Sequence, residues 1–209
     1  MRRWPALGAA LPAVVILSVT AAAGTIETDF LEQPWPQQST RTFEIDKYEV
    51  RWRQRVDRNE GLFIGVQFNA PSTPGVTWRL ATTNYGDIGA MTPGVTAVQY
   101  LEQTPTRQVI QIDIKVLWKS LRLIFEVEQE PPRAVRFRLV NEVLGEYRGL
   151  LLLQDPPPQT DGVAPASTPV LLATWLKPSR PVPLRLLLVA ERIIFLQGVR
   201  EFLKTCEQQ

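Results

Sequence analysis

Between Phe43 and Lys177 the chain is a run of short alternating segments, and it then ends in one long apolar helix. Few architectures can bury both kinds of element at once. Leu62, Ile64, Val66 and Phe68 oppose Phe63, Gly65, Gln67 and Asn69, the pattern of a strand with one face buried. Ile110, Ile112, Ile114, Val116 and Trp118 alternate with Gln111, Asp113 and Lys115 in the same way. Leu121, Leu123, Phe125 and Val127 alternate with Arg122, Glu126 and Glu128, and Val135, Phe137 and Leu139 with Arg136 and Arg138. Val95–Gln103, Tyr147–Gln154 and Val170–Lys177 read as further strands. Turn residues at Asp57–Gly61, Thr104–Arg107, Glu130–Arg133 and Asn141–Gly145 join them into an antiparallel meander.

Leu184–Glu207 is the only long helical pattern. Leu184, Leu187, Leu188, Glu191, Phe195, Val199 and Phe202 form one stripe, which Leu186, Val189, Ile193, Leu196 and Leu203 widen. The N-terminal half is apolar most of the way round, so it is expected to lie sandwiched between two layers. Strands and helix can both be buried if a curved antiparallel sheet wraps around the helix. The expected class is therefore α+β, with two short helices between early strands. The first starts at Pro74, capped by Ser72 or Thr73, and fades near Asn84; a second helical turn spans Asp87–Met91.

Residues 1–23 stand apart from this fold. Arg2 and Arg3 precede an apolar run from Leu7 to Val19, and Ala21-Ala22-Ala23 offers a cleavage site before Gly24. A cleaved export signal is expected, followed by a flexible lead-in over 24–42 and a single domain over 43–209. The protein is therefore expected in the periplasm or outside the cell, or held at a membrane if the leader stays attached. Without Arg2 and Arg3 the balance of 23 basic and 21 acidic residues becomes 21 against 21. A neutral chain with interspersed signs lacks the phosphate-neutralising charge that nucleic-acid binding needs.

The chain has no histidine, which removes the commonest general base and metal ligand together with every Ser-His or Cys-His scheme. Cys206 is the only cysteine, so no internal disulfide can form, and it reads as an inert thiol near a helix end. No metal or cofactor motif is present, and none is expected to be needed. Any catalysis would fall to carboxylates, Tyr, Lys or Arg.

Pro71-Ser-Thr-Pro-Gly-Val-Thr-Trp-Arg-Leu-Ala-Thr-Thr-Asn-Tyr-Gly-Asp-Ile-Gly-Ala-Met-Thr-Pro-Gly94 carries more specific information. It resembles the A-P-P-x-x-V-W-x-V-L-T-D-Y-x-x-x-x-x-F-x-P-G-V segment of START-like polyketide cyclase/dehydrase and lipid-transport proteins, the SRPBCC or Bet v 1-like superfamily. Val76, Trp78 and Leu80 would point inward from its helix. Phe125-Glu-Val-Glu-Gln-Glu-Pro-Pro-Arg-Ala-Val-Arg-Phe-Arg-Leu-Val140 resembles the family's central hairpin, and Arg192–Leu203 its terminal helix. Asn84 stands where the family usually has Asp, and Asp155–Pro169, with five prolines, is an added loop. The resemblance implies the helix-grip fold and a cavity between sheet and helix for a hydrophobic small molecule or lipid.

Alternation and that resemblance together nominate Ile112, Ile114, Val116, Leu123, Phe125, Phe137, Leu139, Tyr147, Leu151, Leu153, Leu172, Leu176, Leu188 and Phe195 as cavity-lining residues. Each would also pack the core. A long apolar chain needs few polar anchors, because each buried CH₂ contributes about 0.8 kcal/mol. A non-enzymatic, monomeric carrier with transient membrane contact is the leading reading. A cyclase or aromatase is the alternative, with Asp113, Glu126, Arg138 and Tyr147 as its candidate polar groups. Only Tyr147 alternates with the inward set. A third reading is an interaction module with a filled interior and a partner surface at Arg136, Arg138 and Arg148.

Overall fold

The computed structural model describes residues 40–57, 61–83, 94–116, 119–141, 143–154, 167–181 and 183–209. The leader, the second helical turn at Asp87–Met91, Asn84, Trp118 and most of the proline-rich loop lie outside the described residues.

Nine strands form one sheet: β1 (Thr40–Ile45), β2 (Tyr48–Asp57), β3 (Gly61–Ala70), β4 (Val95–Gln103), β5 (Arg107–Val116), β6 (Lys119–Glu130), β7 (Ala134–Leu139), β8 (Gly145–Leu153) and β9 (Thr168–Pro178). Helix α1 (Pro74–Thr83) follows β3, and α2 (Leu184–Glu207) ends the chain. β1 begins inside the segment expected to be a lead-in. The strand order is β1-β2-β3-β9-β8-β7-β6-β5-β4, and every described neighbour pair is antiparallel. The chain thus leaves the sheet's middle after β3 and re-enters at the far edge as β4. Edge strand β4 slips register against β5 at Val95/Ala97 and Tyr100/Glu102, and such irregularities bend a sheet.

Register decides which side chains share a face. Val66 pairs with Leu172, Leu172 with Leu151, and Leu151 with Val135. Four residues along the same strands, Leu176 pairs with Tyr147, while Leu139 pairs with Phe125 and Phe125 with Ile110. These rows make one inner face, the side from which α2 packs.

Helix α2 rests chiefly on β3 and α1. Its C-terminal half supplies Phe195, Val199, Leu203 and Cys206 to a closed core with Val50, Trp52, Ile64, Val66 and Phe68. Trp52 meets Phe195 edge-on at 6.1 Å between ring centroids, and Phe68 meets Phe202 in the same way. Glu207 receives Tyr48 Oη and pairs with Lys47 at 2.8 Å, tying the β1–β2 hairpin to the helix end. Burial raises the Cys206 thiol above its ordinary value, consistent with an inert packing role.

Two expectations need correction. The N-terminal half of α2 is not sandwiched: Val189 and Ile193 are each 55% exposed and Ile194 is 48% exposed. Among the described residues no second layer lies over them. Strand β3 is not half-buried, since Phe63 and Gly65 on its outer face are buried as well. There Phe63 packs against Trp175, with Arg55 over the Phe63 ring and Arg148 over the Trp175 ring, so aromatic–cation contacts replace solvent. In α1, Trp78 and Leu80 pack against the core from half-buried positions, as expected, and Thr77, Ala81 and Thr82 are buried.

The start of α1 also differs in detail. Pro74 occupies the first helical position, and the Thr73 carbonyl accepts the Thr77 N–H at 2.9 Å. The Ser72 hydroxyl bonds Thr77 Oγ1 at 2.8 Å, and Thr168 Oγ1 donates to the Ser72 carbonyl at 2.7 Å. This buried polar knot locks α1 to the start of β9.

Candidate functional site

The inner face carries two separate buried clusters. One is the closed core under the C-terminal half of α2; the other is Ile110, Val127 and Val135 on β5, β6 and β7. Trp78 and Leu151 pack against both, which makes Trp78 the helix-to-sheet anchor expected of it. Between and around the clusters, Ile112, Ile114, Phe125, Phe137, Leu151, Leu172 and Leu188 are only half-buried, although they face the helix side. Solvent reaches apolar side chains that a filled core would cover. Opposite the N-terminal half of α2 the inner face is therefore apolar and only partly covered among the described residues.

Of the nominated residues, Ile112, Ile114, Leu123, Phe125, Phe137, Leu139, Tyr147, Leu151, Leu153, Leu172 and Leu176 all share the inner face. Leu188 and Phe195 come from α2. Leu153 and Phe195 belong to the closed core, and Leu123, Leu139 and Leu176 are buried. The remaining described ones are half-buried. The side chain of Val116 lies outside the described residues.

Phe125, Phe137 and Tyr147 form an aromatic wall, with ring centroids 5.8 to 6.2 Å apart and tilted or edge-on geometry. Gly149 makes this wall possible. It sits opposite Phe137 on the inner face, and a Cβ there would overlap the Phe137 ring. The ring lies down across β8 where another strand residue would stand up. Phe125 and Phe137 thus line the interior without filling it.

One polar cluster interrupts this apolar surface. Tyr147 Oη reaches Glu191 Oε2 at 3.4 Å, and the Thr174 hydroxyl also bonds Tyr147. Thr174 is buried on the inner face of β9, opposite Gly149. Burial raises the Glu191 carboxyl to about 7, with only the Tyr147 hydrogen bond opposing, and no cation among the described residues pairs with it. Burial and the nearby Glu191 charge push the Tyr147 phenol well above its ordinary value. Sequence reasoning nominated Tyr147 but passed over Glu191 and Thr174. The signal for Glu191 was present: it is the one acid in the apolar stripe of α2.

The outer face has the opposite character. Asp113 pairs with Arg122 at 2.9 Å, and Glu126 is held by Arg107 at 2.7 Å and by Arg138. Hydrogen bonds from these arginines lower both carboxyls below their ordinary values. Arg136 pairs with Glu130 and Arg148 with Glu146, so the arginine-rich face carries its own counterions. No group of three or more metal-ligating side chains occurs among the described residues.

An antiparallel sheet packed on a long C-terminal helix, with a short helix after the third strand, defines the helix-grip fold. Solved structures agree. A STAR-related lipid transfer protein from Xanthomonas axonopodis matches with a TM-score of 0.57 and 16% identity, over 82% of this chain and 99% of that one. Human STARD10 matches with a TM-score of 0.61 and 10% identity, over 86% and 78% respectively. The Zhui aromatase/cyclase from Streptomyces sp. R1128 matches with a TM-score of 0.54 and 14% identity, over 70% and 93%. The chain has the START-like, Bet v 1-like fold that these proteins share. No protein-family model and no curated protein sequence matches it, so the likeness is one of fold.

Proposed function

We infer that this protein is a non-enzymatic carrier that holds an apolar small molecule or lipid between its sheet and the N-terminal half of α2. The observation that carries this reading is the half-exposed apolar inner face between two separate core clusters. Covering those side chains with a ligand removes apolar surface from water at about 25 cal/mol per Å². The fold shared with a lipid transfer protein supports the same reading. The leader at residues 1–23 supports action after export. The exposed Val189, Ile193 and Ile194 offer a surface for brief contact with a membrane during loading. No described helix is long and apolar enough to cross a membrane. The carrier is expected to act as a monomer.

Native mass spectrometry of the protein purified from its own host, with organic extraction, tests this directly. A reproducible apolar adduct on a chain lacking residues 1–23 is expected. A clean apo mass, with no uptake of neutral fluorescent lipid probes, would overturn the carrier reading.

A second reading rests on Tyr147 and Glu191. A phenol and a carboxyl that titrates near 7 in an apolar interior are suited to proton transfer, as a cyclase or aromatase would need. Chemical change in the extracted ligand on incubation with fresh protein would favour it over simple carriage.

A further inference from the structure

We propose that Tyr147, Thr174 and Glu191 form a head-group site that takes the hydroxyl of an otherwise apolar ligand and turns away free carboxylates. This deepens the carrier reading and rests on it. The cluster brings together three elements: the start of β8, the middle of β9 and the second turn of α2. Its surroundings are apolar, with Phe125 and Phe137 packed on the Tyr147 ring and Leu176 opposite it in the sheet. Nothing in the packing of the fold calls for a carboxyl here. The neighbouring positions of the same helix stripe, Leu187, Leu188 and Phe195, are apolar and pack against the core, the first two only half-buried.

The hydrogen bonding within the cluster is incomplete. The Tyr147–Glu191 contact is 3.4 Å, longer than the roughly 2.5–3.0 Å of a well-formed O–H···O bond. Among the described residues it is the only hydrogen bond to the Glu191 carboxyl, which can accept at two oxygens. A buried carboxyl with spare capacity beside a phenol leaves room for one more hydroxyl, which would donate to Glu191 and accept the Tyr147 proton in place of the long direct contact. Thr174 holds the phenol from the other side.

The same geometry sorts ligands by head group. A ligand carboxylate would bring a second negative charge beside Glu191 in low dielectric, forcing one of the two to take up a proton. An ammonium head would need both charges desolvated, and such a buried pair roughly breaks even. A hydroxyl carries no charge and satisfies both partners. The tail would then lie over Leu151, Leu172 and Leu188, the half-buried residues beside the cluster.

The test is displacement of the neutral probe N-phenyl-1-naphthylamine from the full-length protein by 1-dodecanol and by dodecanoate, at pH 9, where Glu191 is ionised. Dodecanol is expected to bind about tenfold more tightly than dodecanoate, the scale of one well-placed hydrogen bond or one avoided buried charge. Glu191→Gln should collapse that ratio by strengthening dodecanoate, while Tyr147→Phe should weaken dodecanol about threefold to tenfold, one lost hydrogen bond. Equal or tighter binding of dodecanoate by the wild-type protein would overturn the head-group site. So would a dodecanol-to-dodecanoate ratio that neither variant moves. In both outcomes the apolar carrier reading survives, because the probe still binds. Failure of the wild-type protein to bind the probe or either ligand would overturn the carrier reading and the head-group site together.

Discussion

The two halves of α2 face the same sheet and carry similar apolar stripes, yet they do different things. The C-terminal half brings Phe195, Val199 and Leu203 down onto Trp52, Ile64 and Val66, and the result is a closed core. The N-terminal half brings Leu187, Leu188 and Glu191 over a surface where the side chains remain half-exposed. The difference lies in what the sheet offers from below. Under the closed half, Trp52 and Phe68 rise to meet the helix edge-on. Under the open half, Gly149 provides no side chain and Phe137 lies flat across it. The half-covered apolar face arises here where large residues are missing or folded down, rather than where special residues are added.

Substitutions can test this contrast, and the largest effect should fall in the closed half. Trp52→Ala is expected to destabilise the fold by about 3–5 kcal/mol in urea unfolding, the usual cost of removing a fully buried aromatic. A loss below about 1 kcal/mol would mean the two halves are packed alike.

The next effect concerns Glu191. Its carboxyl is raised to about 7 in the folded protein, against an ordinary value of 4.5, so the fold holds this proton more tightly than the unfolded chain does. Its contribution is full below about pH 4.5 and is lost as pH rises through about 7. The difference in stability between wild type and Glu191→Gln should therefore swing toward the variant by about 2 kcal/mol between pH 5 and pH 8.5, after discounting for partial exposure. Asp113, Glu126 and Glu207 have lowered values and act in the opposite direction, losing stability as pH falls. Comparing the two proteins at each pH cancels their effect. A flat difference would show that Glu191 is solvated like a surface acid.

Gly149→Ala is expected to lift the Phe137 ring into the open space. Overpacking of this kind destabilises by about 1–3 kcal/mol, and here it should also abolish uptake of a neutral apolar probe. Retained uptake would place the ligand elsewhere. The smallest effects belong to the open half of the helix. Leu188→Ala should cost at most about 1 kcal/mol in stability while weakening probe binding. Ile193→Ser, on the exposed side, should leave stability within about 0.5 kcal/mol and should slow only the exchange of ligand with vesicles.

Much of this fold was legible because period-two alternation is local. Ile112, Ile114, Phe125 and Phe137 lie on the inner face that alternation gave them, and α2 spans the residues that its helical pattern marked out. Phe63 and Trp175 were harder to read. Phe63 stood among polar residues on its face, and only register brought it against Trp175 beneath Arg55 and Arg148. Glu191 was read as one more position in a stripe, because nothing local distinguishes a snorkelling acid from one held inside. Val189 and Ile193 were expected under a second layer, because apolar character all round a helix usually signals two-sided burial.

The sequence by itself determined the strands, the long helix, the inner and outer sets of side chains, and the absence of histidine or disulfide chemistry. Those properties follow from backbone periodicity and from the residue types present. Only the tertiary structure decided that β3 sits beside β9, that the core divides in two, and that Tyr147 and Thr174 meet Glu191. These are contacts between residues far apart in the chain. They depend on strand register and on the seat of α2 over the curved sheet, and no local pattern encodes either.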